Sequence, residues 1–259
     1  MIGRLRERRS GLATWSARLA LLAIPVLVIA AVGHRAEMID ATATYAAIAL
    51  GFGLAGLAVI AALLAFAGIW RDGRKGTGAA LRGIVLGLAV LALPAVAAWK
   101  IVTLPRIVDV STDLDDPPAF ERAAADRAPD DRPIGAPTGD EAALQRAAYP
   151  DIVPRHYPVG TARAFEAAVT IVDRRGWRVL AERQPTLADE TARVEAVAKT
   201  LIFAFQGDVV IRVMPDGDGA LVDMRSAARN AAHDLGADAA RIRAFFADLD
   251  TALQGETGG

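Results

Sequence analysis

Few side chains in this sequence could carry chemistry, and their spacing restricts what that chemistry would be. His156 and His233 are the only histidines in the second half of the chain. Brought together across a fold with Asp151 or Asp234, they would form a general acid–base set or part of a metal site. The run Asp109, Asp113, Asp115 and Asp116 offers carboxylate oxygens of the kind that hold Ca²⁺ or Mg²⁺, but without recognisable ligand spacing. Asp216 and Asp218 begin a calcium-loop pattern whose next ligand would fall on Ala220, so a plain turn is expected there. The chain has no cysteine, which removes disulfides, thiolate metal sites and cysteine nucleophiles. No G-x-S-x-G and no glycine-rich phosphate loop after a strand occurs. The expectation is no metal, no cofactor and no catalytic residue that can be named.

Two features point to binding instead. Leu201-Ile202-Phe203-Ala204-Phe205 is a dense apolar run between two strand patterns. Leu201, Phe203 and Phe205 could line a pocket for a hydrophobic ligand, dock on lipid or protein, or simply be core. Arg225, Arg229, Arg241 and Arg243 cluster late in the chain. Arg225 and Arg229 are the candidates for a polar headgroup, since guanidinium grips anions in a bidentate way; pairing with nearby aspartates is the alternative.

The elements that must position these groups read as an α+β domain with an antiparallel sheet. Thr161–Arg175 carries Phe165, Val169 and Val172 on one helical face, with Gly176 as its stop. Trp177–Glu182 and Arg193–Thr200 alternate as strands, the second with Val194, Ala196 and Ala198 on one face and Arg193, Glu195, Val197 and Lys199 on the other. Asp208–Met214 and Ala220–Ser226 form a hairpin around Pro215-Asp216-Gly217-Asp218-Gly219. A last helix shows Ile242, Phe245, Phe246 and Leu249 on one face. Helix, four strands and helix thus occupy residues 159–254. Residues 105–158, rich in Pro, Asp and Ala, read as an extended tether.

Residues 1–104 are of another kind. Apolar stretches at Leu19–Val32, Ala43–Trp70 and Gly83–Leu104 predict three transmembrane helices. Cleavage of the first as a secretory signal at Ala31-Val32-Gly33 is the alternative. This part holds 11 Lys and Arg against 4 Asp and Glu, and residues 105–259 hold 18 against 26. The acidic half argues against nucleic acid, which needs a basic footprint. Arg4, Arg6, Arg8 and Arg9 before the first span, and Arg71, Arg74, Lys75 and Arg82 before the third, put the N-terminus in the cytoplasm. The domain then faces outward from the inner (cytoplasmic) membrane of a bacterium. Gly83 and Gly87 are spaced for close helix contact, either in a homo-oligomer or among the chain's own helices. No span carries a mid-membrane Asp, Glu or His, which weakens a transporter reading.

Asp115-Asp116-Pro117-Pro118-Ala119-Phe120, Tyr149-Pro150-Asp151-Ile152 with Pro154, Phe203 to Val213, Arg225-Ser226, Asp234-Leu235-Gly236 and Arg241-Ile242 resemble domain-of-unknown-function family 1499. The resemblance spans about residues 105–250. It implies a bacterial envelope or membrane-associated domain and carries no catalytic residue with it. The family pattern has a serine where this chain has Ala228 and an asparagine where it has Asp238. The resulting expectation is an integral membrane protein whose outward α+β domain binds a hydrophobic ligand, a lipid or an envelope partner. The alternatives are an extracytoplasmic hydrolase-type enzyme using Asp151, His156 or His233-Asp234, and an oligomeric membrane scaffold.

Overall fold

The computed structural model describes residues 9–135, 137–186 and 190–254. Arg4, Arg6 and Arg8 of the basic leader lie outside the described residues. The chain divides into two compact units, one taking in the residues up to Trp99 together with Ile202–Ala204, the other Lys100–Leu201 and the residues from Phe205 on.

The first unit is three helices: α1 (Gly11–Arg35), α2 (Ala41–Asp72) and α3 (Thr77–Thr103). They run 25, 32 and 27 residues. At ~1.5 Å per residue each exceeds a hydrocarbon core of ~30 Å, and all three are apolar enough to cross a membrane. Ser10 caps α1 by accepting the Ala13 N–H, and Asp40 caps α2 by accepting that of Ala43. Gly73 closes α2 in the left-handed conformation.

Packing within this unit is inverted relative to a water-soluble bundle. Ala13, Ala20, Ala23, Ala55, Ala58 and Ala62 are buried, while Leu21, Ile29, Leu63 and Val85 are more than half exposed. Small residues inside and large aliphatics outside suit a hydrocarbon solvent, where close backbone contact rather than burial of large side chains holds helices together. Gly83 and Gly87, considered above for oligomer contacts, belong to this internal packing. A Cβ on Gly83 would lie 2.9 Å from the Ser16 Cβ of α1, and one on Gly87 would lie 2.7 Å from Val59 and 3.1 Å from the Ala55 carbonyl oxygen of α2.

The second unit is an α+β domain with one six-stranded antiparallel sheet. Its strands are β1 (Asp109–Ser111), β2 (Arg155–Tyr157), β3 (Arg178–Arg183), β4 (Ala192–Lys199), β5 (Gln206–Asp216) and β6 (Gly219–Ala228). The order is β1-β6-β5-β4-β3, with β2 also on β6. The four longer strands are those the sequence predicts. The other two come from residues 105–158, expected as a tether; three-residue strands are too short for alternation to be visible. The same segment holds α4 (Ala123–Asp126) and α5 (Gly139–Ala148). A capping box of Thr138 and Glu141 starts α5.

Helices α6 (Thr161–Arg174) and α7 (Ala237–Gln254) cover one face of the sheet. There Val194, Ala196, Val209, Ile211, Val213, Val222 and Met224 meet Phe165, Ile171, Ile242, Phe245 and Leu249. Gly176, with φ of 63°, stops α6 as expected. The hairpin turn places Gly217 at φ 61° between paired Asp216 and Gly219, a backbone state that favours glycine.

The second face is covered by the strap formed from residues 112–135, through Phe120, Ala123 and Ile134 on Val210, Ala227 and Leu180. The strap crosses an unusually charged surface, because Glu195, Asp208, Arg212, Asp223 and Arg225 all alternate onto it and all are buried. The outer edge of β1 is closed by a side chain: Gln145 Oε1 accepts the Ser111 N–H at 3.1 Å, and Gln145 Nε2 donates to the Ser111 carbonyl at 2.6 Å. A carboxamide thus stands in for a neighbouring strand and blocks further pairing at that edge.

Candidate functional site

Three places in the domain hold residues that could act: the charged sheet face, the start of α7 and the β4–β5 turn.

On the charged face the buried charges are answered by the strap, by β1 or by a neighbouring strand. The Glu195 carboxylate accepts the backbone N–H groups of Glu121, Arg122 and Ala123 at 2.9, 2.9 and 3.0 Å. Arg212 donates to both oxygens of Asp223 and, at 2.7 Å, to Asp116. Arg225 makes a fork onto Asp109 at 2.8 and 2.7 Å and stacks on the Phe120 ring. Arg229 binds Asp208 at 2.5 Å and Asp126 at 2.8 Å, and Arg127 binds Asp208 at 2.6 Å. Arg178 and Arg229 together hold the Asp126 carboxyl down to about 2. Burial pushes Asp109 up against the opposing pull of Arg225. Arg225 and Arg229, the headgroup candidates, are each only 4% exposed and are committed to these internal carboxylates. Of the acidic run and the late arginines, which separately resemble a cation site and an anion site, Asp109 and Arg225 pair with each other, while Asp115, Asp116, Arg229, Arg241 and Arg243 pair with other charges of the domain. Buried ions persist only when so answered.

At the start of α7, Asp234 accepts the N–H groups of Gly236 and Asp238 at 2.9 Å each. The Asp238 side chain is fully buried. One of its oxygens accepts from Ser226 Oγ at 2.7 Å and from Arg241, and Arg241 also donates to Ser226 Oγ at 2.5 Å. The other oxygen, Oδ2, has no partner among the described residues, nor has the nearby Tyr149 hydroxyl. Burial pushes Asp238 up to about 6, partly offset by Arg241 and reinforced by Asp234. Ser226 is 0% exposed, so it cannot meet a substrate.

The histidines do not converge. His156 lies in β2 opposite Leu221, beside the Asp216 carbonyl. His233 follows the far end of β6, with Nε2 3.3 Å from the Leu104 carbonyl and Nδ1 accepting from the Leu235 N–H. Leu221 to Ala228 alone spans about 23 Å at ~3.3 Å per residue. Asp151 is gripped by Arg243 at 2.6 and 2.7 Å, which lowers its pKa. Among the described residues no group of three or more His, Cys, Asp or Glu is placed to hold a metal ion.

The β4–β5 turn is different. Leu201 is 89% exposed and Ile202 50%. Phe203 and Phe205 are half-buried, and Ala204 is buried with φ of 56°. The turn is closed by Thr200, which donates its N–H to the Phe205 carbonyl and accepts the Phe205 N–H on its hydroxyl, both at 2.9 Å.

Glu195, Asp208, Arg212 and Asp223, which no motif singles out as a set, do leave a signal in the sequence. Charges two or four residues apart inside otherwise apolar strands must share one face of a sheet, and their apolar neighbours mark that face as covered.

Three helices of membrane-spanning length followed by a strap-covered α+β domain define the class of protein. Residues 109–249 match the model of the family described as "Protein of unknown function (DUF1499)". The match takes in more than half of the chain, which therefore belongs to that family. No curated protein matches it.

Proposed function

We propose that this is a bacterial inner-membrane protein whose extracytoplasmic domain works by binding rather than by catalysis, its ligand being a lipid, another hydrophobic molecule or an envelope partner. One observation carries the reading: Leu201 and Ile202 present large aliphatic side chains at the tip of a tightly closed turn, where exposure has a standing cost in water. The inside-small, outside-large packing of α1–α3 supports the membrane location, and the basic residues flanking α1 and α3 support the orientation. The catalytic alternative loses support from the separation of His156 and His233 and from the internal pairing of Asp151. The test is native mass spectrometry on the full-length protein and on Leu201→Asp, both released gently from membranes. A bound apolar species or partner present with the parent chain and lost with the variant is the expected result. Identical spectra would remove the reading.

A further inference from the structure

Resting on that reading and deepening it, we propose that what the Leu201–Ile202 tip engages is the phospholipid surface of the membrane, at headgroup and upper acyl depth. Support comes from the end of the sheet at which β4 and β5 are joined. The register pairs Asp109 with Ala227, Ala227 with Asp208, and Lys199 with Gln206. The start of β1, the end of β6 and the β4–β5 turn therefore share one end of the sheet. This is the end at which the chain enters the domain. Thr103 ends α3 and Asp109 begins β1, and six steps of chain reach at most about 22 Å. The actual path is tighter, because the Ile107 N–H turns back to the Pro105 carbonyl and Arg106 Nε donates to the Ala232 carbonyl.

An apolar segment of membrane-spanning length thus ends a few residues before the sheet, and the exposed aliphatics sit at that same end. Lys199, at the end of β4, and Arg106, in the connection that enters the domain, are both exposed and bring positive charge to this end of a domain that is acidic in sum. Aliphatic tips fringed by cations match the interface of an anionic bilayer, where acyl chains take the apolar part and phosphates the charges. A free protein partner would have no reason to be presented at this end. The opposite end, at the Asp216–Gly219 turn, lies about 35 Å away along the 11 residues of β5 at ~3.3 Å each, and it carries acid instead.

The absence of cysteine makes the test direct. Full-length Leu201→Cys and Asp218→Cys proteins are labelled with bimane and reconstituted in vesicles of phosphatidylcholine and phosphatidylglycerol. Spin-labelled phosphatidylcholine then replaces part of the lipid, and iodide is added separately. Loss of fluorescence at position 201 with spin-labelled lipid, with no loss at 218, is expected. If 201 is untouched by the lipid quencher yet shielded from iodide, another occupant covers the tip: the bilayer inference falls and the binding reading survives. If 201 is untouched by lipid and fully quenched by iodide, both fall.

Discussion

Replacing Asp238 by asparagine separates the cost of a buried charge from the contacts that surround it. The Asp238→Asn side chain keeps a carbonyl oxygen for Ser226 and Arg241 and offers an amide N–H₂ where Oδ2 now has no partner among the described residues. What it loses is the ability to ionise. In the folded protein burial raises the Asp238 carboxyl from 3.8 to about 6. A raised acid favours the native state while it stays protonated. That advantage is complete below about pH 4 and disappears as pH rises through about 6. From 3.8 to about 6, at about 1.4 kcal/mol per pH unit, the loss is about 3 kcal/mol. Hydrogen exchange of α7 amides in the full-length protein, corrected for intrinsic rates, reads it. Between about pH 4 and pH 7.5 the protection of the Asp238→Asn protein relative to the parent should rise by about a hundredfold. The Arg241 contact strengthens once Asp238 ionises, and that offset is already contained in the net rise to about 6. Parallel profiles for the two proteins would show that Asp238 does not ionise at a cost, and the reasoning about the α7 start would be refuted.

Other perturbations test the remaining parts of the structure. Glu195→Gln puts an N–H₂ against three converging backbone N–H groups. It should cost about 2–3 kcal/mol, read as faster tryptic cleavage at Arg122 and Arg127. Asp208→Asn strips the shared carboxylate from Arg127 and Arg229, and the uncompensated buried charge should cost about 3–5 kcal/mol in domain unfolding. Gln145→Leu takes away the side-chain partners of the Ser111 N–H and carbonyl; about 1–3 kcal/mol for each is the expected loss in thermal unfolding. Gly83→Leu should lower the melting temperature of the three-helix unit in detergent, because its Cβ would overlap Ser16, whereas a Cβ on Gly53 meets nothing within 4 Å among the described residues and Gly53→Leu should be silent.

Much of the architecture is written in local pattern. Three apolar stretches long enough to span a bilayer need no tertiary information, because length and hydropathy alone decide the matter. Strands β3 to β6 and helices α6 and α7 are legible because each repeats its period over six or more residues. The turn at Gly217 and the stop at Gly176 follow from backbone chemistry that favours one residue type. The exposed tip is visible as an apolar run, but its exposure is not, since the same residues would serve equally as core.

Tertiary structure decided the rest, for a common reason: pairing across long sequence separation leaves no local trace. Asp109 reaches Arg225, Asp116 reaches Arg212, and Asp126 reaches Arg229. Read one segment at a time, these residues suggest a cation site, a solvated tether and an anion site. Read together, they are the two halves of one buried interface, because a charge taken out of water must find its counterpart. Likewise Gln145 completes the edge of β1 only once α5 lies beside it. Charge type and period set what each segment could become, and only the fold settled which partner each charge would meet.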